Sequence, residues 1–180
     1  KAKKQLEDYR KRFPVGSNFL VGVNIGPNKD SEDRFNDYKV LAENLSEFAD
    51  YMSINVSSPN TPNLREFQDK KNLEKVINFV KDGIATSKTF NKKLPIFLKI
   101  APDINKQTLK SIIETAHSQK IFGLVISNTT LDRESNLKSK KSNELGGLSG
   151  KPLFKKSTDI LSQANKIIKN NNYKLFLIAA

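Results

Sequence analysis

Short apolar runs alternate with longer amphipathic stretches along the chain. The runs lie at 19–25, 51–56, 95–101, 122–127 and 175–180 and are rich in β-branched and aromatic residues. Their length and composition predict β-strands. Because the runs are apolar at successive positions, we expect the strands to be covered on both faces, which is typical of a parallel sheet.

The stretches between the strands carry apolar residues at helical spacing, with one apolar stripe per helix. A charged, helix-patterned segment at 1–10 is followed by four such stripes: Phe35, Tyr38, Leu41, Ala42, Leu45 and Phe48; Leu73, Val76, Ile77, Val80 and Ile84; Leu109, Ile112, Ile113 and Ala116; and Leu153, Ile160, Leu161, Ala164, Ile167 and Ile168. Asp103 or Asn105 can cap the third of these helices, Pro152 suits the first turn of the fourth, and the asparagines at 170–172 end it.

Strict alternation of strands and helices leaves two architectures, an open doubly wound sheet and a closed (β/α) barrel. In the first four strands the apolar run ends in polar residues, including Asn24, Asn55, Lys99 and Ser127. Barrel enzymes gather functional residues from several strand ends in this way, and the Gly-rich first turn of a dinucleotide-binding sheet is absent. We therefore predict one domain over residues 1–180 with an α/β fold of the (β/α)8 TIM-barrel type. It is incomplete, with about five of the eight βα units present.

Composition narrows the chemistry. The chain has no cysteine, which excludes disulfides, thiolate metal ligands and a cysteine nucleophile, and its one histidine, His117, cannot form a histidine metal site. A net charge of +12 could suit nucleic acid, but the lysines are scattered over presumed helix surfaces without interleaved aromatics. We therefore expect neither a metal nor a nucleic-acid partner. No apolar run is long enough to span a bilayer.

The most informative stretch, at 55–65, reads Asn-Val-Ser-Ser-Pro-Asn-Thr-Pro-Asn-Leu-Arg. Pro59 and Pro62 fix φ and remove two backbone donors, so the loop is predicted to be rigid while its amides and hydroxyls are available to a ligand. A rigid, uncharged, donor-rich loop at a strand end suits recognition of a small polar heterocycle. An ordinary turn built from asparagine and serine side chains is the alternative.

Other polar features follow the later strands. Lys99 lies among apolar residues, so it is either a cation directed at a cofactor or a developing negative charge, or a lysine that reaches solvent at the rim. The glycines at 146–150 can approach a ligand closely, and the long polar loop at 131–145 is either a lid or a surface loop. Asp103 is interpreted first as a helix cap and second as an acid, and His117 as a surface residue.

Five segments together resemble the quinone-reducing class of dihydroorotate dehydrogenases, and they occur in the family's order over nearly the whole chain. They are Gly22-Val-Asn-Ile-Gly26, Asn55-Val-Ser-Ser-Pro-Asn-Thr-Pro, Phe97-Leu-Lys-Ile-Ala-Pro-Asp103, Ser127-Asn-Thr-Thr-Leu-Asp-Arg133 and Gly146-Gly-Leu-Ser-Gly-Lys-Pro-Leu153. The related soluble class uses cysteine where this chain has Ser58, so the serine favours the quinone class.

The resemblance implies oxidation of dihydroorotate to orotate, with flavin mononucleotide (FMN) as cofactor and a quinone as electron acceptor, in the synthesis of UMP. The matching motifs imply that Ser58 is the catalytic base, that the flavin is held by Asn24, Asn55, Lys99, Ser127 and Gly150, and that the substrate is held by Asn55, Asn60, Asn128 and Thr129. Lys99 would stabilise negative charge on the reduced flavin. A serine is a weak base, so we expect it to need help from a neighbour or a water relay, with Thr61 or a hydroxyl from the missing region as candidates.

The family also carries parts that this sequence lacks. These are two early strands, N-terminal helices that dock on the membrane and form the quinone tunnel, and flavin-phosphate loops beyond the last strand, so we expect strands three to seven of eight. For the full-length family the resemblance implies a peripheral position on the cytoplasmic side of the cell membrane, with membrane contact only through the N-terminal part. The present chain alone is expected to be soluble. The alternative is a truncated, inactive remnant or a binding module of the same family.

Overall fold

A computed structural model describes residues 1–88, 93–133 and 137–180. The helices are α1 (Ala2–Arg10), α2 (Arg34–Leu45), α3 (Lys70–Thr86), α4 (Lys106–Ser118) and α5 (Lys151–Asn170), and the strands are β1 (Gly22–Ile25), β2 (Tyr51–Asn55), β3 (Ile96–Ile100), β4 (Gly123–Ile126) and β5 (Phe176–Ala179). Two short 3-10 helices, Ser46–Phe48 and Leu64–Gln68, complete the order. No helix in these ranges is both long and apolar enough to cross a membrane.

The five strands form one sheet in the order β1-β2-β3-β4-β5, and every neighbouring pair is parallel. Each strand therefore lies beside the next one in the chain, and the order never reverses. A doubly wound sheet reverses its strand order at a switch point, whereas a (β/α) barrel keeps adding strands in one direction. The sheet is thus an arc of a barrel, and the predicted architecture is confirmed.

The two faces of the arc differ in character. Side chains that alternate along the strands, such as Ile25, Ile54, Leu98 and Ile126, are buried in one core with the apolar stripes of α2 to α5. The opposite face carries polar residues in β1 to β3 and exposed apolar residues in β5, where Phe176 is 60% exposed. The prediction that the strands are apolar and covered on both faces therefore holds for β4, whose four residues are all buried, and was wrong for the edge strands β1 and β5. Only the outer face is packed against helices within the described residues.

The element boundaries match the sequence pattern with one main exception, at β1. The first strand begins at Gly22, because the apolar residues before it are exposed, including Leu20 at 75%. Asn105 caps α4, since its side chain accepts a hydrogen bond of 2.8 Å from the amide of Thr108. Asp103 is not the cap and makes ion pairs instead. His117 is exposed, as predicted, and stacks on the ring of Tyr173.

Gly83 allows α2 and α3 to pack closely. A Cβ at this position would lie 2.2 Å from the backbone oxygen of Lys39 in α2. We expect Gly83→Ala to lower the free energy of unfolding by about 2 kcal/mol, because overpacking outweighs the gain in helix propensity. Urea denaturation measures this. Asn78→Ala, on the exposed side of the same helix, is the control and should change stability by less than about 0.5 kcal/mol. Equal effects from the two variants would contradict the steric explanation.

Candidate active site

The polar side chains predicted from the strand ends lie on the inner face of the arc. In the sheet register Asn24 is opposite Ser53, and Asn55 is opposite Lys99. These four positions alternate with the core residues Ile25, Ile54, Leu98 and Ile100 and therefore face the opposite side. Ser127 follows β4 directly and lines the cavity described below. The strands thus bring groups far apart in sequence onto one concave surface.

Asn55, Ser57 and Asn128 form the centre of this surface. The side-chain oxygen of Asn55 accepts hydrogen bonds from the amide and the hydroxyl of Ser57, at 3.2 and 3.0 Å, and from the side-chain nitrogen of Asn128 at 3.3 Å. The Asn128 nitrogen also donates to the Ser57 hydroxyl at 3.1 Å. Behind them the fully buried Tyr38 of α2 donates to the backbone oxygen of Asn55 at 2.8 Å. The ends of β2 and β4 are therefore locked together before any ligand binds.

Ser58 follows this network and is half-buried. Its hydroxyl oxygen accepts a hydrogen bond of 3.3 Å from the amide of Asn60. In the part of the chain that the structure describes, no hydrogen bond joins Ser58 to Thr61, and no carboxylate or imidazole bonds to its hydroxyl. The expected helper of the serine is therefore not a side chain within hydrogen-bonding distance here.

A cavity of about 610 Å³ opens beside the network. Its walls include the predicted residues Lys99, Ser127, Asn128, Thr129 and Gly150, together with Phe154 and Ala180. Lys99 is half-buried, and within residues 1–88, 93–133 and 137–180 its ammonium group has neither a hydrogen bond nor an ion pair. A cation on the wall of this cavity favours a ligand that brings negative charge.

Four predicted residues, Asn24, Asn55, Ser58 and Asn60, do not line this cavity. Of these, Asn24 lies apart from the Asn55 network. It is exposed on β1, which is the edge of the sheet among the described residues, and lines a separate hollow with residues of α1 such as Leu6 and Tyr9. It shares the inner face with the other residues but is two strands away from Lys99.

The glycine-rich segment packs against the site through one glycine. A Cβ on Gly147 would lie 1.8 Å from the hydroxyl oxygen of Thr129 and 2.8 Å from the ring of Pro59. The predicted close approach is therefore made to the protein's own loops at Gly147. Gly150 has a φ of +76° and no atom within 4 Å of its Cβ position, so it stays open toward the cavity. Asn60 approaches the same segment at Gly146.

The loop predicted at 131–145 includes residues 134–136, which lie outside the described residues. Arg133 joins its two sides, since its guanidinium donates to the backbone oxygens of Ser142 at 3.1 Å, Glu144 at 3.0 Å and Gly146 at 2.7 Å. These bonds tie the loop to the glycine-rich segment.

A charged cluster supports the site from outside the cavity. Asp103 accepts hydrogen bonds from Arg65 and Lys156, both at 2.7 Å, and from the amide of Leu131 at 2.9 Å. The hydroxyl of Thr130 donates to the same carboxylate. Burial alone would favour the neutral acid, but these donors outweigh it and lower the pKa of Asp103 from its ordinary 3.8 to about 2. Sequence reasoning assigned no role to Arg65, and its position at the end of the 55–65 loop was the only signal.

The lowered pKa of Asp103 predicts a pH-dependent stability. Because the folded pKa lies below the unfolded one, the carboxylate stabilises the fold above about pH 4, and this contribution is lost as the pH falls toward about 2. We expect Asp103→Asn to be less stable than wild type at pH 7 and the difference to shrink between about pH 4 and pH 2. Urea denaturation across this range measures it. A difference that stays constant over that range would contradict the prediction.

A parallel β/α arc with polar side chains gathered from several strand ends is typical of barrel proteins whose functional residues lie at the carboxyl face of the strands. A family model described as dihydroorotate dehydrogenase matches residues 1–178. The chain belongs to the dihydroorotate dehydrogenase family.

Two curated relatives of this chain are named dihydroorotate dehydrogenase (quinone). The protein of Agrobacterium fabrum is 44% identical over 153 residues, which cover 84% of this chain and 42% of the relative. The protein of Christiangramia forsetii is 45% identical over 152 residues, which cover 83% of this chain and 44% of the relative. The chain therefore spans less than half the length of these relatives. The resemblance to the quinone class is confirmed.

A solved structure has the same fold. The ligand-free dihydroorotate dehydrogenase of Eimeria tenella superposes with a TM-score of 0.87 at 30% identity, covering 98% of this chain and 52% of that one. The same enzyme in complex with ferulenol gives a TM-score of 0.86. The arc of five strands thus corresponds to part of a (β/α) barrel in these relatives.

Proposed function

We propose that this chain forms one partial flavin-binding barrel domain, residues 1–180, of an enzyme that oxidises dihydroorotate to orotate and passes the electrons to a quinone in pyrimidine synthesis. The observation that carries the proposal is the meeting of uncharged amides and hydroxyls with the half-buried Lys99, which has no ion-pair partner among the described residues, beside a cavity of about 610 Å³. Amide groups can match both donor and acceptor edges of a pyrimidine ring. The lysine suits a partner that gains negative charge.

The residues present fit FMN. The proposed contacts are Asn24, Asn55, Lys99, Ser127 and Gly150, which supply neutral hydrogen-bonding groups, one cation and an open stretch of backbone. Lys99 has no anionic partner among the described residues, and the hydroxyl of Ser53, on the same face, is buried without a partner there. Unsatisfied polar groups of this kind favour a bound ligand that completes them. FMN, when bound, would accept the hydride from the substrate.

The substrate is proposed to lie beside Ser58. The serine would take the ring proton, while the side chains of Asn55, Asn60, Asn128 and Thr129 would hold the carboxylate and amide groups. Asn55 and Asn128 already share a hydrogen bond and need little reorganisation, which favours a preorganised site. The backbone amide of Thr129 donates a hydrogen bond of 2.8 Å to the side-chain oxygen of Asn128, which fixes the position of Thr129. These residues therefore supply orientation, and Ser58 supplies the proton transfer.

The relatives' names support a quinone as the electron acceptor, and the location is a further part of the same proposal. A quinone is lipid-soluble, so the enzyme is proposed to lie peripherally at the cytoplasmic side of the cell membrane. The chain's own contribution would be the flavin and substrate site, with membrane contact made by other parts of the protein.

The decisive test is flavin reduction by dihydroorotate. The full-length protein would be purified, its flavin content measured by absorbance, and dihydroorotate added without oxygen. We expect the flavin absorbance to bleach and to return when a short-chain quinone is added. A protein that binds flavin but is not reduced would favour the alternative of an inactive binding module, and a colourless folded protein would favour an inactive remnant.

A further inference from the structure

We propose that Arg65 is a positioning residue that holds the Ser58 loop against the Asn128–Thr129 loop. This inference rests on the proposed function and adds a residue to the site that it describes. Arg65 lies in the 3-10 helix Leu64–Gln68, where its side chain is 21% exposed. It does not line the cavity of about 610 Å³, and it contacts Ser57 and Thr129 only at their backbone oxygens, so its effect must pass through the loops.

One guanidinium joins the ends of three neighbouring strands. Its Nε donates to the backbone oxygen of Ser57 at 3.3 Å, directly before Ser58. One terminal nitrogen donates to the backbone oxygen of Thr129 at 2.9 Å, after β4, and the other donates to Asp103 at 2.7 Å, after β3. This side chain therefore links the loop of the proposed base to the loop of the proposed substrate contacts, in addition to the Asn55–Ser57–Asn128 hydrogen bonds.

Asp103 keeps the guanidinium in this orientation. Its side chain is 15% exposed, and it is held in turn by Thr130, Leu131 and Lys156. A carboxylate anchored by several donors cannot follow Arg65 if the loop moves. The arginine is thus fixed from behind, and its two bonds to backbone oxygens are directed at the loops.

A lysine could not replace this arrangement. The guanidinium is planar and presents its donors in a rigid fork, so it can reach Ser57, Thr129 and Asp103 in different directions at once. The ammonium of a lysine is a compact charge on a flexible stem. Arg65→Lys should keep an attraction to Asp103 and lose at least one of the two loop contacts.

The chain supplies a matched control at the other end of the sheet. Arg10 pairs with Asp50 at 2.5 Å and also donates to the backbone oxygen of Phe48 at 2.8 Å. Both side chains of this pair are only 7% exposed, and Asp50 directly precedes β2. Arg10→Ala therefore removes the same kind of buried arginine–aspartate pair, with the same link to backbone, far from Ser58.

The first arm of the test needs no activity. Amide hydrogen exchange would be measured on the full-length protein as wild type, Arg65→Ala and Arg10→Ala. We expect faster exchange at residues 56–61 and 128–131 only in Arg65→Ala, since local opening raises exchange where contacts are lost. If these two segments exchange at the wild-type rate in Arg65→Ala, or equally fast in Arg10→Ala, the inference is overturned.

The second arm measures flavin reduction by dihydroorotate. We expect Arg65→Ala to retain its flavin and to lower the maximal rate of reduction by up to about 10²-fold, because a misplacement of about 1 Å can cost that much. The substrate concentration for half-maximal rate should change less. Arg10→Ala should lower thermal stability without this loss of rate.

The outcomes separate the two proposals. If dihydroorotate does not reduce the flavin of the wild-type protein, the proposed function is contradicted. The hydrogen-exchange result would still decide whether Arg65 fixes the loops. If Arg65→Ala reduces its flavin at the wild-type rate, Arg65 has no positioning role. If Arg65→Lys reduces its flavin at the wild-type rate, the fork of the guanidinium is not required.

Discussion

Ser58→Ala is expected to slow flavin reduction by dihydroorotate by about 10²–10⁴-fold, the usual contribution of a positioned general base. The methyl side chain of alanine cannot accept the ring proton. Among the described residues, the Ser58 hydroxyl bonds only to the backbone amide of Asn60, so no other side chain is placed to take its role. Flavin content and stability should stay unchanged, because the half-buried hydroxyl accepts only this one bond of 3.3 Å. Stopped-flow mixing without oxygen measures the rate directly.

Two further variants give this prediction its controls. Ser118→Ala removes an exposed hydroxyl at the end of α4, at the opposite side of the sheet, and should reduce at the wild-type rate. Ser58→Cys restores a proton acceptor whose ordinary pKa is near 8.5, so it should be faster than Ser58→Ala and should shift the pH dependence of reduction to lower pH. A Ser58→Ala protein as fast as Ser118→Ala would eliminate Ser58 as the base.

The sequence pattern was sufficient for the fold because both kinds of element carry strong local signals. Helical stripes such as Leu109, Ile112, Ile113 and Ala116 are buried as predicted, and every predicted strand is present within a few residues of its predicted bounds. The burial of the inner face could not be predicted in the same way. Apolar residues such as Phe176 occur in a strand whether the inner face of the sheet is covered or open. The sequence periodicity therefore does not tell whether that face is buried.

The candidate site was predictable to the extent that parallel strands align their carboxyl ends. Asn55 and Lys99 are paired in the register, and Asn128 bonds to Asn55, as their positions after successive strands suggested. The supporting contacts were not predictable. Arg65 is 38 residues from Asp103 and 64 residues from Thr129, and nothing in the local sequence indicates which carboxylate or carbonyl an arginine will reach.

Asp103 is a second residue whose tertiary contacts could not be predicted from the local sequence. An aspartate two residues before a helix-capping position is a reasonable cap by local preference. Asn105 makes that hydrogen bond instead, which leaves the Asp103 carboxylate free to bind cations from α5 and from the loop after β2. Local rules therefore predicted where the helix starts but allowed either Asp103 or Asn105 as its cap. Only the tertiary contacts of Asp103 distinguish the two residues.

Lys99→Met should weaken flavin binding and slow flavin reduction by roughly 10²–10³-fold, the usual cost of removing one group that stabilises developing charge. Methionine retains most of the side-chain length and removes the cation, so packing beside Asn55 and Val125 changes little. Loss of the positive charge also makes reduction of the bound flavin less favourable, and its midpoint potential should become more negative. A redox titration of the bound flavin measures this.

The matched control for this prediction is Lys81→Met. Lys81 is also a half-buried lysine, but it lies on α3, on the helical side of the sheet, where it donates to the backbone oxygen of Gln119 at 2.8 Å. It should lower stability slightly and leave flavin content, potential and rate unchanged. Were Lys99→Met to match Lys81→Met in all three, the unpaired ammonium would face solvent at the rim of the barrel and not the cofactor. Flavin loss in folded Lys99→Met alone would instead place the cation at the flavin.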